Sequence, residues 1–419
     1  MVTVALIFCA FIIAYMDRSA LSIATPAVRK EFGLSLSSMG ILLSVFPWAY
    51  GLSQLITGPV VDRGGPRLLA GLGISLWSLM QSATGLVGSM RQLFWARVGL
   101  GFTESPLSPS SIRALRSWFR LEDRGLAISI CFSGGALGPA IAPPVLTWLM
   151  LGWGWRAMFV IVGAVGVLLS LLWWAAYRDP SHYAFSEAER AELPDEETPR
   201  TEKITIAHSI QLFRFPAFWS LVMGNFGLVY LAWLYITWLP GYLEIERHMS
   251  VSRAGIYAGL PQLAGVFGFW TGGLLGDRLL RSGVSPMNSR KIPIIIGLLG
   301  MALGTVPAAI VKDNNLAIIF FSIAVFCGSM SQPAQWALVS IVAPPTRVST
   351  FSGFNNFGGA LGGSLSAIVT GYIAQRTGSF VSALILGGAI ATAAALLYGV
   401  GVRKPISEED LQPRLLPAR

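Results

Sequence analysis

Twelve times along the chain an apolar run gives way to a short polar connection, and each run is close to the length that crosses a bilayer core, about 20 residues. The runs lie near 2–26, 37–61, 67–88, 91–112, 125–150, 155–177, 215–240, 252–276, 292–311, 315–340, 348–374 and 379–401. Segments of that length satisfy their backbone in lipid as helices. They are unlike the short alternating segments of an outer-membrane barrel. The expectation is an all-α membrane protein with twelve transmembrane helices. The charged fraction of 12% agrees, since a soluble domain carries about 25%. So do 46 glycines and 14 tryptophans, which suit close helix packing and interfacial belts.

The first run contains Ala14–Tyr15–Met16–Asp17–Arg18–Ser19. An acid and a base therefore lie side by side within a membrane span. Each costs on the order of 2.5–3.5 kcal/mol there when unpaired. Such a pair marks a path for ions or substrate, or else a structural ion pair between packed helices. The run is too long, and too charged, for a cleavable leader. Cys9, Cys131 and Cys327 fall in apolar runs, so no disulfide framework is expected, and His182, His208 and His248 lack metal-ligand spacing. No metal, cofactor or nucleic acid is expected. The net charge of +9 is read as basic loops facing anionic lipid.

The polar segment 178–213 divides the runs six and six and reads as a solvated linker. The implied domains are 1–177, a six-helix bundle; 178–213, a cytoplasmic linker; 214–401, a second six-helix bundle; and 402–419, a cytoplasmic tail. With the N-terminus inside, the inner loops and tail hold twenty Lys and Arg against eight in the outer loops, so both termini are expected in the cytoplasm. The halves repeat. Run 2 ends in Gly58–Pro–Val–Val–Asp62–Arg63–Gly64–Gly65, and run 8 in Gly273–Leu–Leu–Gly–Asp277–Arg278. Gly134–Gly–Ala–Leu–Gly138 in run 5 recurs identically as Gly358–Gly–Ala–Leu–Gly362 in run 11. Both matches join run n to run n+6, at offsets of 215 and 224 residues. That is the pattern of two pseudo-symmetric six-helix halves repeated in parallel. The density of Gly134–Gly138, Pro139, Pro143 and Pro144 predicts an interruption of run 5.

Arg97 and Glu104, seven residues apart in run 4, share one helix face. With Asp17 and Arg18 they make a neutral set of four charges, the least costly way to keep them at depth. An arginine offers a permanent fork to a carboxylate, and an acid whose surroundings change can load and release a proton. The competing account is a static four-charge knot. Gly58 permits close helix approach, and Asp62, Arg63, Asp277 and Arg278 read as a conformational latch between runs 2 and 11, or as a tight turn with interfacial charges. Among uncharged residues in the runs, Tyr15, Tyr50, Gln54, Asn225, Tyr230, Tyr235, Gln262, Gln335, Trp336, Asn355 and Asn356 are candidates for helix contacts or ligand contacts.

The Gly–x–x–x–Asp–Arg–Gly loop resembles the signature of the major facilitator superfamily. More narrowly, Tyr15–Met–Asp17–Arg18, Arg97–Val–Gly–Leu–Gly–Phe–Thr–Glu104–Ser–Pro and Thr237–Trp238–Leu–Pro240–Gly–Tyr242–Leu243 resemble the anion:cation symporter family. That family includes bacterial galactonate, glucarate and hexuronate carriers and the vesicular glutamate and sialic acid carriers. The resemblance implies the major facilitator fold and a proton-coupled secondary active symporter, not an enzyme. Such a carrier imports a small organic anion, a sugar acid or other carboxylate, by alternating access across a bacterial inner membrane, as a monomer. It implies Arg18 for the substrate anion, Asp17 and Glu104 for protons and Arg97 as charge partner. It also raises Tyr15, Tyr50, Trp336 and Asn356 as substrate-lining residues, with Gln335 beside them. The chain departs from that pattern at Gly135, where a glutamine is common, and at Pro333, where a small hydroxyl residue is common. Fewer hydroxyl-binding groups leave room for a smaller, flatter or more apolar carboxylate. A sodium-coupled or uncoupled facilitator, and an anion sensor that transports nothing, are the rival readings.

Overall fold

The computed structural model describes residues 2–119, 121–179, 211–344, 347–407 and 410. Most of the linker expected at 178–213 and of the tail expected at 402–419 lies outside the described residues. The described elements are helical, without a strand among them. Helix α1 (Val2–Ile23) turns into the short α2 (Thr25–Phe32), which ends at Gly33 in the left-handed region, φ 62°. Helix α3 (Leu36–Thr84) is two spans joined at Gly65, and α6 (Leu121–Ala176) is two spans joined at Gly154. The joints have φ 76°, ψ 157° and φ 83°, ψ 164°, a region open in practice only to glycine. Helices α4 (Met90–Glu104) and α5 (Leu107–Trp118) form one crossing with a break at Ser105–Pro106. Five of the last six crossings follow as α7 (Pro216–Ile245), α8 (Val251–Arg281), α9 (Pro286–Ile310), α10 (Asn314–Val342) and α11 (Val348–Thr377), and α12 (Val381–Gly401) completes them.

The expected interruption of the fifth span is absent: its helix runs unbroken through Pro139, Pro143 and Pro144. Each proline removes one backbone bond, but a neighbour packed against the freed carbonyls allows the helix to continue. Gly259 of α8 supplies that neighbour, since a Cβ there would lie 3.0 Å from the Ala140 carbonyl oxygen and 3.2 Å from Pro144 Cδ.

Packing repeats between the halves. Helix α1 lies on the first half of α6, as α7 lies on α11; α3 lies on α4, as α8 lies on α10; and the second parts of α3 and α6 pair, as α9 and α12 do. Glycines set these approaches. A Cβ at Gly101 would meet Ala49 Cβ and the Phe46 carbonyl, and one at Gly163 would meet the Ser82 backbone. Without a hydrophobic drive between helices in lipid, such close backbone contact is a main source of association.

The seam between halves is formed by α3 with α11, α6 with α8, and α1 with α7. It is tight at the end that carries the α1–α3 connection. A Cβ at Gly40 would lie 2.6 Å from the Ala367 carbonyl oxygen, and one at Gly371 would lie 2.7 Å from that of Leu36. The Leu36 N–H donates to Gln375 Oε1 at 2.9 Å, and the Ser22 hydroxyl donates to the Thr237 carbonyl at 2.6 Å. At the opposite end a Cβ at Gly273 or Gly353 would meet open space.

Two carboxylates, 215 residues apart, tie the corners of the halves. Glu31 accepts from Trp155 Nε1 at 2.8 Å and from Arg156 Nη1 at 2.6 Å. Glu246 accepts the Ser379 hydroxyl and the Phe380 N–H. Each links the end of the first helix of a half to the start of its sixth.

The Arg156 and Trp155 donors hold the Glu31 carboxyl below its ordinary pKa. A depressed carboxylate stabilises the fold above its unfolded pKa, about 4.3, and that contribution is lost as pH falls through the lower folded value. Glu31→Gln should therefore unfold slightly earlier than the parent at pH 7, by at most about 1 kcal/mol for so exposed a pair. The deficit should shrink as pH falls below the unfolded value of about 4.3, as read by thermal unfolding across pH. Separately, Gly40→Ala should open the tight end of the seam, because the new Cβ meets backbone rather than a movable side chain. The readout is faster maleimide labelling of a cysteine placed at Gly241, which faces Thr25 across the seam.

Candidate functional site

Arg18 of α1 reaches Glu104, the last residue of α4. Arg18 Nε donates to Glu104 Oε1 at 2.7 Å, and Nη2 pairs with the same oxygen. Glu104 is fully buried and Arg18 nearly so. Three rings surround the guanidinium: Tyr15 at 4.4 Å, Tyr50 at 4.9 Å and Phe46 at 5.2 Å from Cζ. Aromatic faces attract a cation, and more strongly where water is excluded. Glu104 Oε2 has no hydrogen-bond partner. The carboxylate side of the ion pair therefore keeps one edge uncommitted.

Arg97 is held differently. Its Nη1 donates to the backbone carbonyl of Asp17 at 3.3 Å and its Nη2 to Gln81 Oε1 at 3.1 Å. The Phe159 ring lies 4.9 Å from its Cζ. Every one of these partners is neutral. The Asp17 carboxylate, 1% exposed, has a hydrogen bond to neither oxygen. Chemically the two acids differ. Asp17 can exchange a proton without breaking an ion pair. Glu104 cannot lose its charge without loosening Arg18.

The four charged residues expected to act together are thus gathered on α1 and α4, with Tyr15 and Tyr50 in the Arg18 cage. Asn356 is half-buried on α11. It sits one turn from Ala360, whose Cβ faces Gly51 beside Tyr50, so it looks toward the same side. Trp336 is 52% exposed, and Gln335 is buried beside Tyr398 of α12, away from Arg18. Gln54, Asn225 and Tyr235 serve as helix links, bonding Ser105, Asn355 and Thr305.

No latch contact crosses the seam among the described residues. Asp277 pairs with Arg290 of α9 at 2.9 Å, inside its own half. Arg63 and Arg278 are exposed. Gly58 and Asp62 are described only as helical backbone. The contact of α3 with α11 is made instead at the other end, through Gly40 and Gly51.

Sequence reasoning missed Gln81, Phe46, Phe159 and Trp233. Gln81 is fully buried in the second part of α3, and a lone amide in an apolar run was the available signal. The three rings carried none, since Phe and Trp are common on lipid-facing and core surfaces alike.

Comparison with known proteins gives a consistent result. A profile of the Major Facilitator Superfamily matches residues 7–367. A probable L-galactonate transporter of Escherichia coli (strain K12) is 36% identical, over 96% of this chain and 89% of that protein. A probable sulfoacetate transporter of Cupriavidus necator is 30% identical, over 92% of this chain and 90% of that protein. The crystal structure of a bacterial homologue of the human lysosomal transporter Spinster superposes with a TM-score of 0.73 at 21% identity. The match covers 96% of this chain and 95% of that one.

Removing one member of a buried ion pair costs about 3–5 kcal/mol, whereas replacing both by apolar residues is often neutral. Glu104→Leu should therefore strongly lower thermal stability. Arg18→Met combined with Glu104→Leu should recover most of the loss, as read by thermal unfolding of the purified proteins.

Proposed function

The chain belongs to the major facilitator superfamily and is an integral membrane transporter rather than an enzyme, and from that premise we propose that it imports a small organic anion together with protons. The observation that carries this is the Arg18–Glu104 pair with its open edge, beside the unpartnered Asp17.

The mechanism follows from competition for one guanidinium. Arg18 now gives two of its nitrogens to Glu104. An entering carboxylate can offer both of its oxygens to the fork, a bidentate contact that Glu104 does not make. Both anions cannot be held equally well. A proton on Glu104 weakens its hold and releases the fork to the substrate. Substrate anion and proton then arrive as a pair, and the net charge at depth stays constant. Asp17 provides a second acid. When it ionises, Arg97 has reason to leave the Gln81 amide and pair with it, which reorganises α1 against α4. The relatives named for L-galactonate and sulfoacetate support an organic anion with at least one strongly acidic group.

Alternating access is the proposed cycle. The glycine-lined contacts at one end of the seam close one entrance, and rocking of the halves exchanges it for the other. The Lys and Arg bias supports placing the tight end outside and both termini in the cytoplasm of a bacterial inner membrane. In that orientation the site is reached from the cytoplasm in the state described.

The test is uptake of labelled L-galactonate into proteoliposomes. An inward proton gradient should drive accumulation, and sodium should not. Accumulation that follows sodium at clamped pH overturns proton coupling. Glu104→Gln retains an acceptor for Arg18 but carries no proton, so it should keep counterflow exchange and lose accumulation. Should both survive in Glu104→Gln, the coupling proton belongs to Asp17 alone.

A further inference from the structure

The offset of 215 residues that relates Glu31 to Glu246 also relates Tyr15 to Tyr230 and Arg18 to Trp233. The place that the first half fills with a guanidinium is filled in the second half by an indole. The two are bridged across the seam by Phe46. The Trp233 ring stacks on Phe46, with centroids 5.9 Å apart at 25°, and Phe46 is one of the three rings of the Arg18 cage.

The indole is held in place by a glycine. A Cβ at Gly363 of α11 would lie 2.9 Å from Trp233 Cγ and 3.0 Å from Cδ1. Tyr15 is seated in the same way, with a Cβ at Gly135 lying 2.9 Å from its ring. On both pseudo-symmetric helices a missing side chain makes room for an aromatic one. Trp233 differs from the packing indoles in combining an unpaired N–H with partial exposure, since the Trp77 N–H also lacks a partner but that ring is fully buried. Trp155, Trp173 and Trp238 each donate their N–H to a protein acceptor, namely Glu31, the Arg67 carbonyl and the Ala367 carbonyl. The Trp233 N–H donates to none of the described residues, and the side chain is only half-buried.

We propose that Trp233 is the second half's wall of the anion site and selects carboxylates by the apolar or C–H-rich face of their carbon skeleton. The inference rests on the organic-anion reading above. A carboxylate seated on Arg18 directs its skeleton toward the seam, where the indole edge and N–H are the next available surface. Aromatic side chains favour such contact at little entropic cost. A substrate long enough to reach Trp233 touches both halves, whereas acetate fills only the Arg18 end.

The test uses purified full-length protein and three probes: acetate, benzoate and L-galactonate. Binding is titrated calorimetrically in the parent, Trp233→Ala, Trp233→Phe and Gly363→Ala. For a longer probe that the parent binds, Trp233→Ala should weaken Kd about tenfold, the scale of one lost aromatic contact. Trp233→Phe should stay within about threefold of the parent, and Gly363→Ala should weaken binding by displacing the indole. Acetate binding should be unchanged in all three. Unaltered affinity of the longer probe in Trp233→Ala overturns the wall. Equal weakening of acetate overturns it too, because the residue then acts through Arg18 or the fold. A parent that binds none of the three probes overturns the anion reading itself. If Trp233→Ala does not fold, Trp233→Phe and Gly363→Ala carry the same comparison.

Discussion

Arg18 and Glu104 can occupy the depth of a bilayer only together. A single ion in a medium of low dielectric constant is expelled or neutralised, and here the compensation is a contact of two guanidinium nitrogens with one carboxylate oxygen, wrapped in three rings. That requirement fixes α1 against the α4 crossing. It fixes Tyr15, whose ring needs the bare backbone at Gly135, and it fixes Phe46 and Tyr50, which sit where Gly101 lets α4 press on α3. On the proposed mechanism, the pair is also what responds to a ligand. A contact that satisfies each partner completely would be inert, but this one leaves Glu104 Oε2 without a donor.

The second charged contact follows a different rule. Arg97 rests on a backbone carbonyl, a side-chain amide and a ring face, all of which tolerate a cation without cancelling it. Asp17 lends Arg97 its backbone carbonyl, and its carboxylate is left without a hydrogen bond. The two acids therefore experience different surroundings: Glu104 is bound to a guanidinium, and the Asp17 carboxylate has no hydrogen-bond partner.

Much of this architecture was legible in the sequence. Twelve apolar runs, two repeated glycine motifs and a polar divider gave the number of spans and their pairing, because each signal is local and the bilayer imposes its length. The four ionisable residues stood out because hydrocarbon makes any charge conspicuous. The pairing among them was not legible: Arg97 and Glu104 share a face of one helix, yet Glu104 turns to Arg18 and Arg97 to Gln81. Partner choice depends on the angle between helices, which no single segment encodes. Gln335 and Trp336 show the same limit, since neighbours in sequence point to opposite surroundings, one buried and one exposed. The prolines of α6 misled because their effect is decided by α8, which packs on the carbonyls they release.

The tight end of the seam has a consequence for how the protein tolerates its surroundings. It is made of glycine, alanine and backbone oxygen atoms, with the Ser22 and Leu36 hydrogen bonds, and among the described residues no ion pair crosses it. Electrolyte screens charges but does little to van der Waals contact. Contacts of this composition depend on how closely the two backbones approach rather than on ionic strength, so the cohesion of this end of the seam should be nearly independent of salt.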